Sequence, residues 1–239
     1  MAVSLSVVVP VKDEAENAVP LAREIAGALA GYDGEIIFVD DGSTDGTGTR
    51  LQLLKAELPH LRVLRHGQNA GQSRAIRTGV RAARGDLIVT LDGDGQNDPA
   101  DIPKLLDAMK QGHTRLGLVS GVRARRKDTL SRRSASWLAN MLRQALLHDG
   151  AADTGCGLKV FRREAFLALP YFDNVHRYLI ALMIREGYDV QFVEVGHRPR
   201  LHGASKYTNL GRMLVGIRDL LGVRWLTRRF RSSIDVMEI

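Results

Sequence analysis

The stretch DLIVTLDGDGQNDP, at residues 86–99, joins a short apolar run to two carboxylates. Its first part, from Asp86 to Leu91, has the length and the apolar character of a strand that is buried on both faces of a sheet. Asp92 and Asp94 follow where that strand ends, separated only by Gly93. Two like charges this close are unfavourable unless a cation or hydrogen-bond donors compensate them. The stretch therefore predicts a buried strand that leads directly into a binding site.

The same pattern extends along the chain, because β-rich runs alternate with helical ones. The predicted strands cover residues 3–11, 35–40, 61–65, 86–91 and 116–122. Each of the first four is followed by apolar residues at helical spacing, as in Leu21, Ile25 and Leu29. This alternation predicts an α/β fold in which helices flank a mostly parallel sheet and ligands bind at the carboxyl ends of the strands.

Length and composition are those of a single soluble domain. The chain has 239 residues, of which 44% are hydrophobic and 26% are charged, and this length suffices for one substantial core. The single cysteine, Cys156, excludes an internal disulfide framework and favours a reducing compartment. The N-terminus lacks the basic region of a signal peptide, and no window reaches the roughly 18 apolar residues of a transmembrane helix. We therefore expect a cytoplasmic protein that does not itself span a membrane.

The formal net charge is +7, and much of the positive charge lies in the second half of the chain. One cluster runs from Arg123 to Arg133 and another from Arg224 to Arg231. Such clusters either lie on solvated faces or indicate an anionic partner: nucleic acid, phospholipid headgroups or a phosphorylated substrate. The arginines are not interleaved with stacking aromatic residues, which make up only 5% of the chain. A nucleic-acid-binding module is therefore the less favoured interpretation, and we expect no nucleic acid partner.

Acidic residues follow three of the predicted strands. They are Asp13 and Glu14 after the first strand, Asp40 and Asp41 after the second, and Asp92 and Asp94 after the fourth. Any single one of these acids could be a turn or helix-capping residue, and that is the simpler interpretation of Asp45. Gathered at one edge of a parallel sheet, they favour an open site for Mg²⁺ or Mn²⁺, with hard oxygen ligands and room for substrate phosphates.

The common glycine-rich nucleotide motifs are absent. GxGxxG does not follow the first strand, and GxxxxGK[ST] occurs nowhere in the sequence. A nucleotide would therefore be bound without such a loop. An acid such as Asp40 would hydrogen-bond the base or the ribose, while a metal ion holds the diphosphate.

Seven blocks of sequence carry a family resemblance. VVVPVKDEAEN (7–17), IIFVDDGSTDGT (36–47), NAGQSRAIRTGVRAARGD (69–86) and DGDGQNDP (92–99) resemble the inverting family 2 glycosyltransferases of GT-A fold. VSGVRARRKD (119–128), DTGCGLKVFRR (153–163) and RLHGASKY (200–207) are similar to the branch of dolichyl- and polyprenyl-phosphate sugar synthases. The resemblance implies one GT-A catalytic domain over residues 1–230, with a nucleotide-sugar-binding half at 1–122, an acceptor-binding half at 123–230 and a tail at 231–239.

The resemblance also implies a role for each matching residue. The metal ion and the donor diphosphate would lie at Asp92, Asp94 and Gln96. The nucleoside would lie against Pro10, Val11, Glu14 and Asp40. The acceptor phosphate and the donor diphosphate would be held by Arg123, Arg133, Arg200, Ser205 and Lys206. The chain departs from the family pattern at Lys12, where an aromatic or polar residue is common, and at Gly95, where leucine is frequent. The first departure bears on base stacking, and the second bears on the loop that fixes Gln96.

The implied reaction moves a sugar from GDP-mannose or a UDP-sugar to a dolichyl or undecaprenyl phosphate. A phosphate monoester is largely dianionic at neutral pH, so this acceptor needs guanidinium groups beside it rather than a strong general base. Asp153 would orient the acceptor or accept a residual proton, or it is a structural acid that opens the 153–162 segment. The alternative is a sugar-hydroxyl acceptor, which requires a placed carboxylate base. No Glu-Asp pair that would suit this role occurs between residues 150 and 200.

Two basic amphipathic segments suit a lipid acceptor. Residues 134–147 and 210–230 each combine an apolar face with arginines, as do helices that lie in the headgroup layer of a membrane. The alternative is that these faces pack on the core or on a second subunit. We expect peripheral binding at the inner face of the membrane, through these helices, a homo-oligomer or a membrane partner protein.

Overall fold

The computed structural model describes residues 5–123, 141, 143–151, 153–199 and 209–230. The strands are β1 (Leu5–Val11), β2 (Gly34–Asp40), β3 (Leu61–Arg65), β4 (Leu87–Thr90), β5 (Leu116–Arg123), β6 (Lys159–Arg162) and β7 (Asp189–Val195). The main helices are α1 (Ala18–Ala28), α2 (Thr47–Leu54), α3 (Gln72–Ala82), α4 (Ile102–Gln111), α5 (Arg163–Ala168), α6 (Leu179–Arg185) and α7 (Asn209–Arg229). Short 3-10 turns cover Pro99–Asp101 and Val175–Arg177. The seven strands form one sheet in the order β3-β2-β1-β4-β6-β5-β7.

The first four strands confirm the predicted parallel arrangement. β1 pairs in parallel with both β2 and β4, and β2 pairs in parallel with β3. Each of the five predicted strands is present, with ends that lie within two residues of the prediction. Because these strands are parallel, the loops that follow β1, β2 and β4 lie along the same edge of the sheet.

The other half of the sheet contains two strands that the sequence did not reveal. β6 runs antiparallel between β4 and β5, and β7 pairs in parallel with β5. β6 has only four residues, and Lys159 and Arg162 stand at its two ends. Its apolar content is therefore too small to predict a strand, and its pairing with a neighbour on each side holds it in place.

Helices cover both faces of the sheet. Ile25 of α1 is buried in the same apolar cluster as Val7 of β1. Val80 of α3 is buried with Val8 in a second cluster on the opposite face, as expected from the alternation of side chains along a strand. α3 lies so close to β1 that a Cβ atom at Gly79 would be 2.3 Å from Cγ1 of Val8. This close packing holds α3 directly against β1.

α7 packs beside α6 through one side of its surface. The Tyr178 hydroxyl donates a hydrogen bond to the backbone oxygen of Gly216 at 3.2 Å. The outward side of α7 exposes the large apolar residues Ile217, Leu221 and Trp225. The apolar face predicted for residues 210–230 is therefore partly exposed. Across the described ranges, no helix is both long enough and apolar enough to cross a membrane.

Candidate active site

A cleft of about 450 Å³ opens where β1, β2 and β4 end. The predicted site residues that line it are Pro10, Val11, Glu14, Asp92 and Asp94. It is also lined by residues that the sequence did not predict, among them Gln72, Lys159, His176 and Arg177. The structure thus brings five of the predicted nucleoside and metal residues together, beside additional polar groups, some of them from the second half of the chain.

The loops after β1 and β2 are joined to each other by hydrogen bonds. The backbone N–H of Asp13 donates to the Ser43 hydroxyl at 2.9 Å, and the backbone N–H of Thr44 donates to the Asp13 carboxylate at 2.8 Å. The backbone N–H of Ala15 donates to Asp45 at 3.0 Å. Asp13 adopts a φ of 50°, which is uncommon outside glycine. These cross-links make the two loops a single wall of the cleft.

Asp40 ends β2 and Asp41 follows it, and only the second of the two lines the cleft. Asp40 is fully buried and does not line the cleft, and its carboxylate accepts a hydrogen bond from the backbone N–H of Ser43 at 2.8 Å. Its other oxygen lies 3.5 Å from Nε of Arg65. Asp41 lines the cleft instead. The contact between Asp40 and a base, implied by the family resemblance, stays a prediction.

Asp41 holds the loop that leads into α3. Its carboxylate accepts hydrogen bonds at 2.8 Å from the backbone N–H groups of Ala70 and Gly71. Nδ1 of His66 lies 2.7 Å from the same carboxylate. Gly71 adopts a φ of 88°, and α3 begins at the next residue. The Asp41 carboxylate, just after β2, therefore fixes the loop from which the first turn of α3 begins.

Asp92 is oriented by two amide side chains. Nε2 of Gln72 donates to its Oδ1 at 2.8 Å, and its backbone N–H donates to Oδ1 of Asn97 at 3.1 Å. Asp94 accepts a hydrogen bond from the backbone N–H of Gln96 at 3.1 Å. The side chain of Gln96 does not line the cleft, so its role as a metal ligand stays a prediction. Neither Gln72 nor Asn97 was predicted, although both lie inside the blocks that carry the family resemblance.

Electrostatics at Asp92 favour a bound cation. Burial, and after it the like charge of Asp94, raise the pKa of Asp92 above the usual range of an aspartate. Within the described ranges, no three His, Cys, Asp or Glu side chains gather to hold a metal ion with protein ligands alone. Mg²⁺ and Mn²⁺ are commonly held by one or two carboxylates together with substrate phosphates. Two carboxylates that lie this close together and repel each other fit an ion of this kind.

Arg123 and Asp153 form a two-pronged ion pair. Nε and Nη2 of Arg123 each lie 2.7 Å from an oxygen of Asp153. The hydrogen bond with Asp153 raises the pKa of Arg123, so the guanidinium keeps its charge. Neither side chain lines the cleft, although a Cβ atom at Gly155, which does, would be 2.9 Å from Nη2 of Arg123. Both oxygens of Asp153 are thus engaged in orienting Arg123.

Lys159 is a buried lysine that also lines the cleft. It begins β6, is 5% exposed, and its ammonium donates a hydrogen bond to the backbone oxygen of Cys156. Burial lowers the pKa of Lys159 and raises the pKa of the Cys156 thiol. A lysine between apolar neighbours in GCGLKVF is the one sequence signal that could have revealed this residue.

Several predicted residues lie outside the described part of the chain. These are Arg133, Arg200, Ser205 and Lys206, together with most of the amphipathic segment 134–147. Their roles stay predictions.

The fold and the cleft define a class of protein. A mostly parallel α/β sheet, with paired aspartates where its fourth strand ends, is the arrangement of the GT-A glycosyltransferases. Residues 6–169 match the family described as Glycosyl transferase family 2, and the chain belongs to that family. The family resemblance read from the sequence is confirmed.

Two relatives indicate the branch within the family. The dodecaprenyl-phosphate galacturonate synthase of Rhizobium johnstonii is 36% identical over 230 residues, which cover 94% of this chain and 67% of the relative. The undecaprenyl-phosphate 4-deoxy-4-formamido-L-arabinose transferase of Enterobacter sp. is 36% identical over 208 residues, which cover 85% of this chain and 62% of the relative. The predicted branch of polyprenyl-phosphate sugar synthases is confirmed. The chain spans about two thirds of the length of these relatives.

Solved structures of the same fold confirm the predicted GT-A architecture. Glucosyl-3-phosphoglycerate synthase from Mycobacterium tuberculosis, in complex with Mn²⁺, uridine-diphosphate-glucose and phosphoglyceric acid, superposes with a TM-score of 0.69. The two chains are 21% identical, and the match covers 96% of this chain and 81% of the synthase. The same enzyme has also been solved with Mg²⁺ and uridine-diphosphate. At this level of identity, the likeness concerns the fold.

Proposed function

We propose that the protein transfers a sugar from a nucleotide-sugar to a polyprenyl phosphate, with inversion at the anomeric carbon. The observation that carries this proposal is the pair of Asp92 and Asp94 in the cleft, whose shared negative charge suits a cation that also binds a diphosphate. Both relatives are named for a polyprenyl phosphate, which supplies the acceptor class for this proposal. The donor would be GDP-mannose or a UDP-sugar.

The donor would occupy the first half of the chain, residues 1–122. Its nucleoside would lie against Pro10, Val11 and Glu14, on the wall made by the bonded loops after β1 and β2. Mg²⁺ or Mn²⁺ held by Asp92 and Asp94 would stabilise the negative charge of the departing nucleoside diphosphate. Gln72 and Asn97 support this arrangement, because they fix the carboxylate and the backbone of Asp92.

The acceptor would enter from the second half, residues 123–230. One of its phosphate oxygens attacks the anomeric carbon, the bond from that carbon to the diphosphate breaks, and its electron pair leaves with the nucleoside diphosphate. Since the acceptor phosphate is mostly dianionic at neutral pH, no proton has to be removed first. The ion pair of Asp153 with Arg123 supports this, because it gives the carboxylate a positioning role. We assign Arg133, Arg200, Ser205 and Lys206 to the acceptor phosphate and the donor diphosphate.

Positive charge is needed where two phosphate groups approach each other. Lys159 and Arg177 both line the cleft, and Arg123 lies directly behind Gly155. Fixed cations of this kind offset phosphate–phosphate repulsion without reorganising during the reaction. Part of the positive charge of the chain would thus serve to hold phosphate groups in the cleft.

A lipid acceptor also requires contact with a membrane. Ile217, Leu221 and Trp225, on the outward side of α7, are 49%, 56% and 60% exposed, respectively. Exposed Arg228 and Arg229 lie in the last turn of the same helix. An apolar stripe flanked by arginines favours the surface of an anionic bilayer. We therefore place the protein peripherally at the inner face of the membrane, where a second subunit or a membrane partner would reinforce binding.

Two measurements test this function. Thermal unfolding in the presence of GDP-mannose, UDP-glucose or UDP-galacturonate, each with Mn²⁺ or EDTA, should show a metal-dependent rise for one nucleotide series. Transfer of the radiolabelled sugar from that donor to undecaprenyl phosphate in vesicles should then yield a lipid-linked product. Asp94→Ala should abolish the transfer while the protein remains folded.

The acceptor class is tested in the same assay. A product with a soluble sugar acceptor, and none with undecaprenyl phosphate, would replace the polyprenyl-phosphate proposal with the hydroxyl-acceptor alternative. Substantial metal-dependent transfer by Asp94→Ala would contradict the assignment of the metal site.

A further inference from the structure

The turn Val175–Arg177 brings His176 to the cleft, where the sequence did not predict a histidine. Its ring nitrogen Nδ1 lies 2.6 Å from the hydroxyl oxygen of Ser73, and its backbone N–H donates to that same oxygen at 3.3 Å. Ser73 is buried in the first turn of α3, next to Gln72, which donates to Asp92. The contact therefore connects the metal side of the cleft with a turn from the second half of the chain.

These two hydrogen bonds favour one of the two neutral tautomers of His176. The Ser73 oxygen accepts from the backbone N–H, and among the described residues Nδ1 is the partner toward which the hydroxyl can direct its own hydrogen. A neutral imidazole whose Nδ1 accepts a hydrogen bond carries its own hydrogen on Nε2. Burial, with smaller contributions from Arg177 and Lys159, lowers the pKa of His176 to about 3. The ring is therefore neutral at physiological pH, with a hydrogen-bond donor at Nε2.

The surroundings of His176 suit an anionic ligand. Nε2 makes no hydrogen bond to any residue within the described ranges. Arg177 and Lys159 line the cleft with it. A neutral donor beside two cations adds a hydrogen bond to an anion without the repulsion that a third positive charge would bring. A phosphate group, with several oxygens around one centre, can accept from all three residues.

We propose that His176 is a substrate-binding residue that donates from Nε2 to a phosphate oxygen, and that Ser73 is the positioning residue that fixes its tautomer. The inference rests on the proposed function for the class of ligand. Two phosphate groups enter the cleft in that function, the donor diphosphate and the acceptor monoester, and both present the same kind of oxygen. Because Nε2 carries the hydrogen, His176 binds substrate and does not act as a base.

Nitrogen-15 NMR of protein labelled at histidine measures the tautomer directly, because protonated and unprotonated ring nitrogens have well-separated shifts. The chain has seven histidines, and the His176 signals are identified by their loss in His176→Gln. We expect the Nε2–H tautomer to persist down to about pH 5, well below the ordinary histidine pKa. We also expect the Nε2 signal to move on addition of a phosphate ligand.

Nucleoside diphosphates and a lipid phosphate distinguish the two sources of phosphate. Movement of the Nε2 signal with Mg²⁺ and either UDP or GDP assigns the donor diphosphate, and movement with farnesyl phosphate assigns the acceptor monoester. An Nδ1–H tautomer, protonation near pH 6.5, or no movement with any of these ligands would overturn the proposal.

Kinetics provide a second readout. His176→Ala should raise KM about tenfold to a hundredfold for the substrate identified by NMR, as expected for loss of a hydrogen bond to a charged group. His176→Gln keeps an N–H donor and should recover part of that loss. Ser73→Ala should have a smaller effect on KM and should release the fixed tautomer. His113→Asn is the control, because His113 is 65% exposed and contacts Asp189 outside the cleft.

The result separates this inference from the proposed function. An unchanged KM in His176→Ala, in protein that transfers sugar to polyprenyl phosphate, would overturn the inference alone. An Nε2 signal that responds to UDP, in protein that transfers no sugar to any polyprenyl phosphate, would support the inference and contradict the proposed acceptor.

Discussion

Replacing Gly157 with alanine tests whether the position of Asp92 controls metal binding. A Cβ atom at residue 157 would lie 2.4 Å from Oδ2 of Asp92 and 2.8 Å from Oδ1 of Asn97. Ordinary contacts begin at 3.4 Å, so Asp92 would have to shift by about 1 Å in a closely packed environment. Such a shift breaks its hydrogen bonds with Gln72 and Asn97, which are 2.8 and 3.1 Å long. We expect Mn²⁺ affinity to fall by roughly 10- to 100-fold, as when the support of a metal ligand is removed.

The assay compares two glycine-to-alanine variants. Mn²⁺ binding is measured by electron paramagnetic resonance in the presence of UDP, and folding is measured by chemical denaturation. Gly27→Ala is the matched control, because Gly27 is exposed within α1 and nothing lies within 4 Å of the added methyl group. This control should leave Mn²⁺ affinity unchanged and stabilise the protein by about 0.5–1 kcal/mol, since alanine favours a helix over glycine.

Mn²⁺ affinity within twofold of the original in folded Gly157→Ala would refute the reasoning. It would mean that the added methyl group is accommodated without displacing Asp92. Should Gly157→Ala fail to fold, Gln72→Ala removes one support of Asp92 without adding volume, and Mn²⁺ affinity must still fall.

Three further changes have defined outcomes. Asp153→Asn breaks the buried ion pair with Arg123 and should destabilise the protein by about 3 kcal/mol in chemical denaturation; a loss below 1 kcal/mol would contradict a buried pair. Because the pKa of His176 is about 3 in the folded protein and about 6.5 in the unfolded chain, the unfolded chain binds the proton first, and stability falls as the pH drops from about 6.5 towards 3. His176→Gln should therefore reduce the loss of stability between pH 7 and pH 5 by about 1–2 kcal/mol, and an identical pH dependence would argue against a buried neutral ring. Trp225→Ala should weaken sedimentation with phosphatidylglycerol vesicles several-fold without changing UDP binding, and unaltered vesicle binding would remove α7 from the membrane contact.

The fold of the first half follows from local sequence patterns. β1 to β4 are short apolar runs that alternate with helices, and both the strands and their parallel pairing agree with the prediction. β6 could not be predicted in this way, because pairing with strands far away in the sequence, rather than its own four residues, holds it in the sheet. Sequence patterns thus predict the elements that are stabilised by their own apolar faces.

The site residues likewise divide into those that local sequence patterns predict and those that depend on distant contacts. Asp92 and Asp94 reach the cleft as predicted, because they follow the end of a buried strand. Asp40 and Asp41 are neighbours, so their side chains diverge, and the one that faces the cleft depends on how the loop turns after β2. His176 was not predicted because its partner Ser73 lies 103 residues away, and no local pattern encodes that contact.

Because β6 lies between β4 and β5 in the sheet, the strands of the first half of the chain depend on a strand from the second half for their pairing. β4 pairs on one side with β1 and on the other side with β6, at residues 159–162. A fragment that ends at residue 122 would leave one side of β4 without a partner, and unpaired strand edges of this kind promote aggregation. During synthesis on the ribosome, the donor side of the cleft therefore cannot reach its final form until Arg162 has emerged, although nearly all of its ligands are translated long before.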